Sequence, residues 1–481
     1  MDAAILAHYA RDESRRGPAP DGAFTGAAGG APCGDLVRVS IVVEGGIVDA
    51  VTFDAEGCAS ATAAAAAVAD AAEGESVLGA AAIGSEDVAN ALGGLSPQGR
   101  HAADLAADAL HRALSAAASS GAALADPPAD GERVLVAMSG GVDSGVAALL
   151  ERERGADVVA VTLKLWADQH NDGARSCCSP EAVIGARNLA HDMGIPHLTL
   201  DLEEAFRSQV VGAFVRGYAA GRTPNPCVIC NGDVRIDAMV ALADRLGAST
   251  LATGHYARVV DDGEGPLLAA ASDEAKDQTY MLSALRPASL GRLRFPLADL
   301  TKPRVRELAT ASGLPVASKR ESQDLCFLAG EGKRAFLARH AGLETQPGEI
   351  VDASGRMVGR HPGFHNFTVG QRRGLRIGGG DPLYVLRTDA SENRVVVGAR
   401  ENLARRRVRV RNALLRRPGD RVDRVKLRYR SRPIDCAVSA PAGRHPELWL
   451  ELGQPAYGVA PGQTACLMDG SMVVGHATIA S

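Results

Sequence analysis

"VLVAMSGGVDSGVAALL", Val134 to Leu150, decides how the middle of this chain reads. An apolar run ends at Ser139, two glycines follow, and apolar residues then resume at helical spacing. The order is strand, tight loop, helix. Glycines let backbone approach a phosphate, successive N–H groups form an anion nest, and a helix N-terminus adds favourable partial charge. The loop lacks the Lys-Ser/Thr pair of a Walker A loop. The plainer alternative is a Gly-rich turn capped by Ser. All three elements fall where a phosphate loop needs them, which argues against that.

Working outward, "GVAALLERERG" continues the helix and "DVVAVTLKLW" is a second strand. The helix "PEAVIGARNLAHDMG" and the strand "HLTLDL" follow. This alternation predicts a doubly wound α/β sheet. From about Gly348 the pattern changes to short strands broken by Gly and Pro, which predicts an all-β half ending in a barrel. Upstream, "SAAASSGAALADPPADGE", Ser115 to Glu132, is small, Pro-containing and aperiodic, and reads as a linker. Before it, "LVRVSIVVEGGIVDAVTFDAEG" alternates like paired strands, and two Ala-rich stretches read as helices, so this unit is α+β. The expected layout is multidomain: an α+β unit over 1–115, a linker over 116–131, an α/β domain over 132–335, a small linking domain over 336–403 and a β-barrel over 404–481.

At 481 residues more than one domain is expected. With 46% hydrophobic and 23% charged residues the chain reads as soluble and globular. No stretch has the length and apolarity of a membrane span, and the N-terminus lacks the pattern of a signal peptide. A cytoplasmic protein is therefore expected, where thiols stay reduced and cysteines mean metal or catalysis more often than bridges. Charge is uneven. Residues 1–125 carry 16 acidic and 6 basic side chains, whereas residues 401–433 carry 13 basic and 3 acidic. Such a basic tract suits a polyanion such as nucleic acid, or else is a solvated strand face.

Two of the nine cysteines stand in "GRTPNPCVICN", where Cys227 and Cys230 are spaced C-x-x-C behind two prolines. By spacing alone they are a metal clamp, a redox pair, or a nucleophile with a neighbour. Cys436 and Cys466 sit in strand patterns and read as core, and Cys177 with Cys178 as a structural pair before a helix.

The loop Ser139–Ser144 resembles the pyrophosphate loop of the ATP pyrophosphatase superfamily, whose members cleave ATP to adenylate an oxygen. Asp143 fits a Mg²⁺ bridging to ATP. The ordered set "GRTPNPCVICN", "ATGHYAR", "DEAKDQTYML", "SKRESQDLCF", "VKLRYRSRP" and "GVAPGQTACLMDG" resembles the tRNA-specific 2-thiouridylase family from about Arg133 onward. The resemblance implies thiolation of C2 of the wobble uridine of tRNA, with tRNA and a sulfur donor (a cysteine desulfurase or sulfur carrier) as partners. It implies ATP at Ala137, Met138, Ser139, Gly140, Gly141, Val142, Asp143, Ser144, Leu163 and Gly254. Asn225, Pro226 and Cys227 would abut the target base, while His255, Lys276, Asp277, Gln278, Arg428, Tyr429 and Gln463 would touch tRNA. Cys230 would carry a persulfide, and Cys326 would release the sulfur and end disulfide-bonded to Cys230. A Pro-stiffened loop beside the nucleophile suits a flipped-out base.

Cys227 departs from the family pattern, which has Asp at that position. Cys227, Cys230 and Cys326 then resemble the three cysteines of cluster-dependent tRNA thiolases, which implies a 4Fe–4S cluster; zinc and the cluster-free persulfide route are the alternatives. Upstream, "GAPCGDLVRVSI", "DAEGCASATAAAA" and "GRHAADLAADAL" resemble the U-type iron–sulfur scaffold family. That resemblance implies ligands Cys33, Asp35, Cys58 and His101, with Ala102 where the family has a further Cys. A zinc or 2Fe–2S site is implied, or a degenerate domain kept for docking. Two rival functions are another adenylating synthetase, disfavoured by the basic β half, and a non-catalytic RNA-binding iron–sulfur carrier, disfavoured by the intact loop.

Overall fold

The computed structural model describes residues 3–30, 34–96, 99–168, 179–319, 325–378 and 381–480. Cys33, Cys177 and Cys178 lie outside these.

In the N-terminal unit, helix α1 (Ala3–Arg11) precedes an antiparallel meander, β1 (Phe24–Gly29), β2 (Leu36–Glu44) and β3 (Ile47–Glu56). Gly45 and Gly46 both have positive φ and close β2 onto β3 as a two-residue hairpin, the turn that Gly-Gly favours. Helices α2 (Ala59–Ala72), α3 (Val77–Ala80), α4 (Ser85–Ala91) and α5 (Arg100–Ser119) follow. Alanine on α2 and α5 lets them lie very close to the sheet. A Cβ on Gly26 of β1 would stand 2.1 Å from the Ala109 carbonyl oxygen of α5.

The second domain begins at β4 (Arg133–Ala137), α6 (Val142–Glu153), β5 (Asp157–Lys164), α7 (Pro180–Asp192) and β6 (His197–Asp201). β7 (Thr250–Thr253), β8 (Arg258–Asp261), β9 (Pro266–Ala269) and β10 (Leu293–Arg294) complete its strands. The parallel sheet runs β10-β7-β4-β5-β6, as the alternation predicts. Since β5 and β7 flank β4 on opposite sides, the strand order reverses at β4. The crevice beyond its C-terminal end is where such sheets bind ligands.

A four-stranded sheet of β11 (Gly348–Val351), β12 (Met357–His361), β13 (Tyr384–Asp389) and β14 (Arg394–Gly398) forms the linking domain. β15 (Ala404–Leu415), β16 (Arg424–Lys426), β17 (Ile434–Ala437), β18 (Gly443–Tyr457), β19 (Thr464–Asp469) and β20 (Met472–Ile479) close into a six-stranded barrel by pairing β15 with β20. One element departs from the sequence reading. The hairpin β8–β9 belongs to the α/β segment of the chain, yet it extends the barrel sheet beside β20. Arg417 of the barrel fixes it with a bidentate pair to Asp262, at 2.6 and 3.0 Å.

The connection after α5 is packed, not loose. Leu124 is fully buried, its N–H donates to the Arg245 carbonyl at 2.8 Å, and Arg245 returns bonds to the Ala118 and Ala122 carbonyls. The N-terminal unit is also docked on β6. Arg187 pairs with Asp108 at 3.0 Å, and the Ala81 carbonyl accepts from His191 Nε2 and from the His197 N–H. The Thr162 hydroxyl donates to the Met138 carbonyl, so it accepts from His197 Nε2 at 2.8 Å, which fixes that tautomer. Burial pushes His111, His191 and His197 below the ordinary histidine pKa of 6.5, with Arg187 adding to the shift. These rings are neutral in the fold, so the unfolded chain binds more protons. Their stabilisation is complete above 6.5 and is lost as pH falls through that value toward the lowered pKa values. Melting temperature is expected to drop by about 5 °C between about pH 7.5 and about pH 5.5, and His111→Gln, whose amide can still donate to the Ile83 carbonyl, should flatten that dependence.

Candidate active site

At the end of β4, Met138 is buried and its N–H bonds the Val161 carbonyl, so the loop leaves the sheet on a fixed heading. Gly140 takes φ +64° and Gly141 is the N-cap of α6. Ser144 Oγ accepts from the Ser139 N–H at 3.1 Å and donates to the Gly141 carbonyl, closing the loop on itself. Leu163 lies buried near the end of β5. Gly254, after β7, comes so close that a Cβ there would stand 2.7 Å from the Asp143 carbonyl carbon.

Asp143, in the first turn of α6, accepts from Lys302 Nζ at 2.6 Å and from the Tyr256 hydroxyl at 2.9 Å. Lys302 is only 7% exposed. Lys319 Nζ reaches the Gly140 carbonyl at 2.8 Å. Tyr256, Lys302 and Lys319 escaped the sequence reading. Tyr256 and Lys319 lie inside quoted motifs, but nothing there signals a bond to the loop, and the lysines arrive from 159 and 179 residues away. A nest of N–H groups with a carboxylate and two ammonium groups can hold a polyphosphate and one divalent cation. The carboxylate is the group that suits Mg²⁺.

The cysteine stretch is helical. Asn225 caps a short helix, Pro226–Ile229, by accepting from the Val228 N–H, and proline stands at its first position. Cys230 opens a π-helical turn, Cys230–Arg235, of a kind concentrated at functional sites. A second such turn spans Phe206–Val211. Cys227 is half-buried and Cys230 is 7% exposed. Cys326 opens a 3₁₀ turn and packs, half-buried, against the same core as Cys230. Next to it, Phe327 is caged by Phe206, Phe214 and Phe336 at 5.0 to 5.9 Å between ring centres.

A chain of bonds joins loop and helix. Asp143 meets Tyr256, the Tyr256 N–H donates to Gln278 Oε1, and the Gln278 segment leads to Met281. Asn225 Nδ2 donates to Met281 Sδ and Asn231 Nδ2 to the Met281 carbonyl. His255 bonds Thr253 Oγ1, and burial, helped by Arg235, drives its pKa to about 3, so the ring is neutral. The residues expected to touch tRNA gather along this seam, but several point inward. Asp277 pairs with Lys426 at 2.9 Å, Arg428 donates to the Val369 and Gly458 carbonyls, and Gln463 donates to the Thr223 carbonyl. Lys276 is half-buried beside them, and Tyr429 packs by Tyr280. The basic tract therefore splits: Lys426 and Arg428 hold domains together, while other arginines face solvent.

Among the described residues no three His, Cys, Asp or Glu side chains are placed to share a metal ion. Cys227, Cys230 and Cys326 thus do not form a ready ligand set for a cluster. In the N-terminal unit Asp35 accepts from the Cys58 N–H at 2.8 Å and from its Sγ at 3.4 Å; Cys58 is exposed and Asp35 half-buried. A Cβ on Gly57 would strike Asp35, so glycine there permits the pairing. His101 is exposed at the start of α5 and Ala102 is buried. Asp35 and Cys58 fit two corners of a mixed-ligand site.

Comparison with known proteins covers nearly the whole chain. Family models match at residues 132–330 (tRNA methyl transferase HUP domain), 334–399 (tRNA methyl transferase PRC-barrel domain), 415–479 (aminomethyltransferase beta-barrel domain) and 2–120 (NifU-like N terminal domain). The "Bifunctional protein NifU/MnmA" of Rubrobacter xylanophilus is 48% identical over 466 residues, covering 95% of this chain and 93% of that protein. The "tRNA-specific 2-thiouridylase MnmA" of Acidithiobacillus ferrooxidans is 43% identical over 349 residues, covering 72% of this chain and 97% of that one. Among solved structures, an iron–sulfur cluster assembly scaffold protein for the SUF system from Fervidobacterium islandicum matches with TM-score 0.21 and 16% identity, over 24% of this chain and 96% of that one.

Proposed function

The chain belongs to the family of the bifunctional NifU/MnmA proteins, and we propose that it is a tRNA-uridine 2-sulfurtransferase that works through an adenylated base. The observation that carries this reading is the bond path from Asp143 through Tyr256 and Gln278 to the helix bearing Cys227 and Cys230. It couples a phosphate loop to a thiol-bearing helix across one seam.

The uracil C2 oxygen is a poor leaving group. The loop Ser139–Ser144 holds ATP, and Asp143 is the residue that would bind Mg²⁺, which neutralises phosphate charge. Lys302 and Lys319 face the same phosphates. Attack of the C2 oxygen on the α-phosphorus expels pyrophosphate and leaves an O-adenylated uridine. A persulfide then attacks C2, and AMP departs with the oxygen.

Sequence resemblance gave that persulfide to Cys230. Burial argues for the reverse, because Cys326 is the more accessible of the two to an external sulfur donor. We place the persulfide on Cys326. Its outer sulfur bonds C2, and Cys230 thiolate attacks Cys326 Sγ. The S–S electron pair goes to the sulfur left on the base, and a Cys230–Cys326 disulfide forms. An external thiol reductant resets the pair, by exchange of thiolate against sulfur. Asn225 and Pro226 shape the rim where the base enters.

The test is direct. The full chain, with tRNA, ATP, Mg²⁺, a cysteine desulfurase with cysteine, and a thiol, should yield 2-thiouridine by mass spectrometry, with one AMP and one pyrophosphate per base. ATP cleavage stimulated by an amino acid and indifferent to tRNA would point to another adenylating synthetase instead.

A further inference from the structure

The outward arginines of the basic tract are organised. On the outer surface of the barrel, Trp449 of β18 is 43% exposed and Tyr457 is 45% exposed, two of the four large apolar side chains so exposed among the described residues. Each carries a guanidinium on its ring: Arg407 over Trp449 at 4.3 Å, and Arg400 over Tyr457 at 4.5 Å. Across the strand pair, Ala404 faces Tyr457 and Arg409 faces Trp449. The two ring stations thus face positions five residues apart on β15, across a bulge at Arg405/Arg407, at most about 17 Å along that strand at about 3.4 Å per residue. Between them the surface is charged, with Arg405 and Arg406 both exposed. The opposing Glu451 and Glu447 meet Arg407 and Arg409 in exposed pairs that water largely screens.

We propose that this face of β15 and β18 is a stacking platform for unpaired nucleotides of RNA. The proposal rests on the tRNA reading above and gives that substrate its docking surface. A flat ring backed by arginine offers a base a π-face on one side and a phosphate a cation on the other. A protein partner would want its aromatic anchors clustered in a dry, apolar-rimmed centre. Here they stand apart on a wet, cationic strip. The strip also leads to the active site. Tyr457 runs into the turn Gly458–Gln463, where the Pro461 carbonyl accepts from the Thr223 N–H at 2.8 Å and Gln463 donates to the Thr223 carbonyl. Thr223 lies two residues before Asn225. RNA on the platform would be aimed at the rim beside Cys227.

The experiment compares the full-length wild type with Trp449→Ala and Trp449→Phe, using tRNA, a single-stranded oligouridylate and a blunt RNA duplex. Trp449 is exposed, so both variants should melt like the wild type. Trp449→Ala should weaken binding of tRNA and of the single strand about 5- to 100-fold, with Trp449→Phe restoring most of it. The duplex should bind all three proteins alike, and kcat at saturating tRNA should not change. The chain has two tryptophans and Trp166 is buried, so single-strand binding should quench an indole signal that Trp449→Phe removes. Wild-type affinity of Trp449→Ala for tRNA and oligouridylate overturns the platform, and so does an equal loss on the duplex. If RNA binding depends on Trp449 but no 2-thiouridine forms, the platform stands and the proposed activity falls. If 2-thiouridine forms and Trp449→Ala keeps the wild-type KM for tRNA, the activity stands and the platform falls.

Discussion

Asp143→Asn is expected to cut tRNA-dependent pyrophosphate release by about 10³-fold while tRNA binding stays within about twofold. The carboxylate lies in the first turn of α6, directly behind the two loop glycines, with Lys302 Nζ at 2.6 Å and the Tyr256 hydroxyl at 2.9 Å. In the proposed mechanism Asp143 is the carboxylate that would hold Mg²⁺, and it already holds the nearly buried Lys302 ammonium beside the loop. One carboxylate would thus serve both as metal ligand and as the anchor of a cation. Asn keeps the shape and a hydrogen bond but removes the charge that both partners need. Ala would in addition take away the oxygen that accepts from Lys302 and Tyr256 and leave a gap, and so would confuse instability with catalysis. Lys302→Met should slow pyrophosphate release by about 10²-fold with the same unchanged tRNA affinity. The comparison is made by coupled pyrophosphate detection and filter binding on the same preparations. Normal release from Asp143→Asn would remove the loop from the chemistry.

The second large effect concerns sulfur. Cys230→Ser and Cys326→Ser should each bring multiple-turnover thiolation to background, a loss of about 10⁴-fold, since each removes one sulfur of a necessary S–S exchange. Both should still release pyrophosphate on adding tRNA and ATP, because activation of the oxygen precedes any bond to sulfur. Cys227→Ser separates the two sulfur routes. In the persulfide route Cys227 only lines the rim, and the variant should keep at least about a third of wild-type activity. A cluster held by Cys227, Cys230 and Cys326 would need a rearrangement from the arrangement seen here, and would lose both its visible absorption and its activity in Cys227→Ser. Anaerobic assay with iron and sulfide analysis reads both outcomes on one sample. Loss of thiolation in Cys227→Ser together with bound iron in the wild type would overturn the persulfide mechanism.

These two experiments draw on features of different origin. Asp143 and Cys230 are marked by short motifs, because a turn with positive φ at Gly140, or an Asn-Pro cap ahead of a helix, is specified within a handful of residues. The roles of Lys302 and Lys319 are not, since a lysine in a helical start or a loop looks like any surface lysine until the fold delivers it to Gly140 and Asp143. The π-helical turn at Cys230 was equally hidden, as its extra residue per turn has no compositional sign.

The sequence by itself determined the order of domains, the α/β alternation around Val134–Leu150, the barrel-like C-terminal half and the position of the Gly-rich loop Ser139–Ser144. Those follow from hydrophobic periodicity and from glycine and proline chemistry acting over a few residues. Only the tertiary structure decided which way each charge points. Lys426 and Arg428 lie in the same basic tract as Arg407 and Arg409, yet the first two turn inward to Asp277 and to backbone carbonyls, and the latter two face water. It also decided that the hairpin at 258–269 extends the barrel sheet, and that the N-terminal part is pinned to β6 through Ala81, to α7 through Asp108 and to Arg245 through Leu124. The physical reason is that these contacts join residues from 30 to about 200 positions apart, where burial and charge complementarity between already formed surfaces select the partner and local propensity has no say.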